Sequence, residues 1–226
     1  MFVFKSHVNS FHYLYQDAQY FHELARSSGE EFDGVRASRT ALLLYILSLE
    51  ALINRALEQF LPEPQRQFFV DREDRFSIED KWQLLPLLGS GGEPKTFDKS
   101  RQPWSQFVEL IKIRNDFVHP KHDRPAYYEA LTAQRWRPLS WKEIPDGLSV
   151  KQTDVIYRQT QIPRDPYAVR LHHVDTAKAA VDAIIAELDR LLDGRISADN
   201  WYRSDRMELI WPSGATSSDL PSEGAV

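Results

Sequence analysis

Apolar positions recur at helical spacing through the first two thirds of the chain and again near its end. Val8, Phe11, Leu14 or Tyr15, Ala18, Phe21 and Leu24 form one stripe, which predicts a helix ending near Ser27-Ser28-Gly29. Leu42, Ile46, Leu49, Ile53, Leu57 and Phe60, widened by Leu43, Leu44 and Leu47, predict a second and more deeply buried helix over about 36–61, ending before Pro62 and Pro64. Ser77-Ile-Glu-Asp80 has the form of a capping box and predicts a short helix closed by Pro86 and the Gly89–Gly92 turn, with Trp82, Leu84, Leu85 and Leu88 folded back onto the core. A third amphipathic helix is expected over 100–119, from Trp104, Phe107, Val108, Ile111 and Val118; Pro120 disfavours helical backbone at the residue before it. Asp175 or Thr176 is the expected cap of a fourth helix carrying Ala177, Val181, Ile184, Ile185, Leu188 and Leu192, stopped by Gly194. Long helices with one apolar face each must bury those faces together, so the expected fold class is all-α, an antiparallel four-helix-type bundle.

Between Pro120 and Leu171 the periodicity dissolves, and six of the thirteen prolines fall there. A structureless loop of that length is uncommon inside one domain, so this insertion is expected to contain short helical or strand pieces and to pack through Tyr127, Trp136, Trp141 and Tyr157. Residues 1–200 are expected to form a single helical domain. Residues 201–226 read as a tail, mobile from about residue 212, where small polar residues offer too little apolar surface to offset ordering entropy.

Composition narrows the function classes. The chain has 226 residues and 42% hydrophobic content, enough for a packed core, and a net charge of −5, which lacks the basic excess of a typical duplex-DNA binder. No cysteine is present, so disulfides, zinc-thiolate sites, cysteine nucleophiles and iron–sulfur clusters are excluded. The longest uncharged apolar stretch, Thr40 to Leu49, is about half of the ~20 residues a membrane-spanning helix needs, and reads as core with no membrane partner. The first residues show no charged leader before an apolar segment, and the expected location is cytoplasmic.

Motifs of common enzymes are absent: no nucleophile elbow, no H-E-x-x-H, no Walker lysine loop and no dinucleotide glycine fingerprint. Gly89-Ser-Gly-Gly-Glu-Pro-Lys95 lacks phosphate-loop spacing and reads as a turn between helices. The adjacent His172 and His173 would need further metal ligands that the sequence does not place, so no metal and no cofactor are expected.

The segment Ile111-Lys-Ile-Arg114-Asn115-Asp116-Phe117-Val118-His119-Pro120 stands apart. It resembles the R-x(4–6)-H motif of the HEPN superfamily, including the polar residue that often follows the arginine, here Asn115. The preceding helix with Ser48-Leu-Glu-Ala-Leu-Ile-Asn54, and Lys81-Trp82-x-Leu84-Leu85-Pro86 after it, resemble stand-alone bacterial HEPN-like proteins. The resemblance implies a homodimer with two motifs facing across a two-fold axis, a composite site of two Arg and two His, RNA as substrate, and a toxin–antitoxin or phage-defence setting. In related toxins, a tyrosine two positions after the histidine is modified by a partner nucleotidyltransferase. Lys121 holds that position here, which puts such regulation in doubt and leaves an antitoxin or a nucleotidyltransferase only as candidate partners.

The chemistry suits this reading. Metal-independent RNA cleavage needs a base for the 2′-hydroxyl, an acid for the leaving 5′-oxygen and positive charge at the phosphorus. Histidine supplies proton transfer and arginine a bidentate phosphate clamp. Five positions put Arg114 and His119 roughly 140° apart on a regular helix, and a break at His119 would relax that separation. Asn115 is expected to support the site, Asp116 to orient the imidazole, and Glu50 to act from behind the first layer. The bundle alternative is that Arg114 simply pairs with Glu50 or Asp116, and that His119 is an ordinary helix-terminal residue. The insertion carries nine basic residues against six acidic, opposite in sign to the whole chain. Lys121, Arg124, Arg135 and Arg137, with aromatic neighbours, are therefore candidates for RNA contact, against a merely solvated insertion. A non-catalytic HEPN-like module for dimerisation, protein interaction or nucleotide binding is the competing function.

Overall fold

The structure, a computed structural model, describes residues 3–7, 9–29, 31–119, 127–132, 135–198 and 206–210 and is predominantly helical. Helix α1 (Ser10–Ser27) starts where the Asn9 side chain accepts the His12 N–H at 3.2 Å, and it buries Phe11, Tyr15 and Ala18 of the expected stripe together with His22, while Leu24, expected inside, is exposed. Helix α2 (Glu31–Phe60) begins five residues before the expected start at Arg36. Val35, Ala37 and Ser38 in its early turns are buried, and this packing outweighs the poor helix propensity of Gly34. Its later stripe, including Leu42, Ile46, Leu49, Ile53 and Leu57, is fully buried against α1 and the helices that follow. Among the described residues, one helix, Phe32–Phe60, is long and apolar enough to cross a membrane by length and composition, and 56% of its most apolar window is buried inside the fold.

A short helix α3 (Gln65–Val70), which the periodicity did not indicate, tucks Phe69 under α2. Helix α4 (Ile78–Gly89) has the capping box in full: the Asp80 N–H donates to Ser77 Oγ at 3.1 Å, and the Ser77 N–H to Asp80 Oδ2 at 3.1 Å. Pro86 does not close this helix but lies inside its last turn, and Leu88 is exposed rather than folded back, whereas Trp82 and Leu85 are buried. Ser77→Ala is expected to cost about 1 kcal/mol, read as a lower urea midpoint with an unchanged slope. An unchanged midpoint would mean that packing alone sets the start of α4.

Helix α5 (Trp104–Val118) starts four residues later than expected, directly after Pro103, and buries Trp104, Phe107, Leu110, Ile111 and Ile113 against α2 and the last long helix. The insertion then forms an antiparallel hairpin of β2 (Tyr128–Thr132) and β3 (Arg135–Pro138), a single-turn helix α6 (Gln152–Val155) and two short 3-10 turns. Tyr157, Ile162 and Val169 join the main core, while Tyr127 and Trp141 pack on a satellite cluster of Ile144, Val155 and Ile156. Trp136, expected to pack, is exposed.

Helix α7 (Leu171–Leu191) begins four residues ahead of the expected cap at Asp175. The Arg170 N–H donates to His173 Nδ1 at 3.0 Å at the new start, and Asp175 instead bonds His22 of α1 across 2.9 Å. Tyr15 of α1 likewise donates to Asp182 of α7, at 2.5 Å, so two polar ties cross the apolar seam. Burial pushes the nearby Tyr45 hydroxyl up to about 12. The helix stops as expected: Asp193 and Gly194 adopt φ of 57° and 77°, and the Gly194 N–H returns to the Asp189 carbonyl at 2.8 Å. After a further turn, α8 (Arg195–Ala198), strand β4 (Arg206–Ile210) pairs antiparallel with β1 (Val3–His7). The expectation of a mobile end from about 212 lies outside the described residues.

Candidate functional site

Helix α5 is fixed by its apolar face, and this determines where its polar end emerges. Arg114 follows the buried Ile113 and reaches α2, where Nη2 donates to Glu50 Oε2 at 2.5 Å and Nη1 donates to Asn115 Oδ1 at 2.8 Å. Its side chain is 22% exposed, so the guanidinium is oriented yet reachable from solvent. Two of its five N–H donors are engaged by these bonds, and the others have no hydrogen-bond partner among the described residues. The residues brought together are thus Arg114, Asn115 and Glu50, the pairing that the bundle alternative anticipated.

The helix ends at Val118, and His119 leaves it with φ −126° and ψ 68° while its N–H still bonds the Asn115 carbonyl at 2.9 Å. The regular helical separation between Arg114 and His119 therefore no longer applies at the histidine itself. The imidazole is exposed, and no hydrogen bond engages it among the described residues.

Asp116 has a second attachment that the sequence did not suggest. It accepts the Tyr157 hydroxyl at 2.7 Å and the Arg164 guanidinium at 3.3 Å, while Arg164 also lies over the Tyr157 ring. Two helical turns earlier, Glu109 accepts the backbone N–H groups of Gln159 and Thr160 and the Thr160 hydroxyl at 2.6 to 2.9 Å. Asp116 and Glu109 thus strap the insertion along α5. An acidic pair at i and i+7 on a helix was the only signal available for this, and it carried no indication of its partner.

The basic candidates of the insertion scatter. Arg137 is held by Glu129 at 2.8 Å and Glu143 at 2.6 Å, and this pairing, with bonds from Ser140, pulls the Glu143 carboxyl down to about 2. Arg135 contributes backbone to β3, and Lys121 and Arg124 lie outside the described residues. Two arginines that sequence reasoning missed line a groove of about 410 Å³ beside Phe117, near the end of α5: Arg36 and Arg39 of α2. Arg39 lies 4.4 Å over the Tyr167 ring and has no carboxylate partner among the described residues; Arg36 lies 4.2 Å over the Phe32 ring and pairs loosely with Asp33 at 3.7 Å. Their spacing of three on a helix is a usable signal, but their proximity to α5 is a tertiary fact.

Two residues from the stretches quoted for the HEPN resemblance also meet: buried Lys81 donates to Asn54 Oδ1 at 2.9 Å. Among the described residues no group of three or more histidines or carboxylates could hold a metal ion. Comparison with family models, with curated proteins and with solved structures gives no match to this chain.

Proposed function

We propose that the open end of α5 is the reaction centre of a HEPN-like, metal-independent RNA endonuclease working as a homodimer, in a toxin–antitoxin or phage-defence setting. The observation that carries this reading is the partly exposed Arg114, oriented by Glu50 and Asn115, followed by an exposed His119 whose imidazole has no partner among the described residues. In the proposed reaction one His119 takes the proton of the ribose 2′-hydroxyl. The 2′-oxygen attacks phosphorus, and the two Arg114 groups balance the charge that gathers on the non-bridging oxygens. The partner copy's histidine returns a proton to the departing 5′-oxygen, leaving a 2′,3′-cyclic phosphate and a free 5′-hydroxyl. One chain supplies a single histidine at this place, so the two proton transfers call for two copies around a two-fold axis. Arg36 and Arg39 would hold phosphates flanking the cut.

The test is single-stranded RNA incubated with the pure chain in excess chelator, alongside light-scattering mass. Cleavage to cyclic-phosphate ends by a species of twice the chain mass is expected. Intact RNA, or a monomer that cuts, overturns the reading. The competing reading, a non-catalytic module, is favoured by the carboxylate already seated on Arg114. Saturable binding of RNA or nucleotide with no turnover across a range of pH selects it.

A further inference from the structure

The insertion and the start of α7 line a cavity of about 370 Å³ that includes neither Arg114 nor His119, within the range that holds a small organic ligand. Its apolar wall is the satellite cluster: Tyr127, Leu139, Trp141, Val155 and Ile156. Such a cluster, set apart from the main core and left open on one side, loses dispersion contacts that a flat molecule would restore.

The polar groups show what the molecule must offer. Both carboxylates on the lining are already engaged: Glu143 by Arg137 and Ser140, and Asp165 by the Tyr128 hydroxyl and the Tyr167 N–H. Two donors beside them are unspent among the described residues. His173 spends Nδ1 accepting the Arg170 N–H, and burial, with His172 and Arg170 beside it, holds the ring neutral with a value down at about 3. Its proton therefore sits on Nε2, which has no partner among the described residues. The Lys142 ammonium at the rim likewise has no ion pair or hydrogen bond among the described residues. Arg137, Lys142 and Arg170 line the cavity against the two carboxylates, so the wall carries a surplus of positive charge. Gln161, also on the lining, is held at φ +58°, a conformation that costs a non-glycine residue free energy and gathers at binding sites.

We infer that this cavity binds a small aromatic anion, its ring against the Trp141 and Tyr127 wall and its acidic group within reach of His173 and Lys142. The inference is independent of the nuclease reading: it uses none of the α5 residues.

The probe is 1-anilinonaphthalene-8-sulfonate, an aromatic anion, titrated into the full chain at pH 7.5 with circular dichroism confirming the fold. One saturable site per chain is expected. Lys142→Glu, an exposed position, and His173→Asn, which keeps an acceptor for the Arg170 N–H but loses the Nε2 donor, are each expected to raise the Kd about tenfold at unchanged circular dichroism. Competition by indole-3-acetate or by AMP then tells a free aromatic carboxylate from a nucleotide. Binding that fails to saturate, or a Kd unchanged in either variant, overturns the proposal.

Discussion

Replacing His119 with alanine is expected to lower RNA cleavage by about 10²- to 10⁴-fold, the usual worth of a positioned acid or base. The imidazole is exposed and makes no hydrogen bond among the described residues, so its removal leaves no buried group unsatisfied and melting should be unchanged. That separation of rate from stability makes the variant decisive. Arg114→Lys is expected to fall nearly as far in kcat. An ammonium keeps the charge but cannot reproduce a fork that bonds Glu50 and Asn115 and still faces a phosphate. Quantified by single-turnover cleavage in chelator, a His119→Ala preparation as fast as the parent chain would remove the catalytic assignment. An Arg114→Lys preparation at full rate would reduce the arginine to a structural partner of α2.

Acid should loosen the fold earlier than its carboxylates require. Unfolded His173 takes up a proton near its ordinary value of 6.5, whereas folded His173 does so only near 3. Below pH 6.5 the unfolded chain therefore binds a proton that the folded chain refuses, and stability falls as pH falls. At 1.36 kcal/mol per unit, the ceiling is about 5 kcal/mol over the whole interval, and about 2 kcal/mol is reached between pH 6.5 and 5, before most carboxylates titrate. His173→Asn retains the acceptor for the Arg170 N–H and cannot titrate. In urea unfolding at several pH values from 7.5 to 5, the parent chain should lose stability relative to this variant. Parallel curves would show that the ring is hydrated in the folded state.

The long helices were legible because their apolar positions keep one period for several turns, as in α2 and α7, and no other backbone buries such a stripe. Their starts were less legible. Asp175 has the chemistry of a cap, yet it faces His22, 153 residues away in sequence, and Arg170 and His173 supply the start of α7 instead. Pro86 fits inside the last turn of α4 because a local rule against proline is softer than the burial of Trp82 and Leu85. Around the motif, the Arg114–Glu50 pair was foreseen because a charged group on a half-apolar helix seeks a carboxylate. The straps from Asp116 to Tyr157 and Arg164, and from Glu109 to Thr160, were not, since an aperiodic insertion gives no register from which a partner can be read.

By itself, then, the sequence determined that the chain is mainly helical, where its long helices end, and which residues close α5, because these follow from short-range spacing, capping chemistry and proline sterics. Tertiary structure alone decided that Glu50 rather than Asp116 takes the arginine, that Arg36 and Arg39 border the same helix end, that β1 meets β4, and that the insertion folds against α7 around a cavity. Those outcomes depend on contacts between residues far apart in the chain, and the free energy of such contacts is settled only when whole faces pack at once.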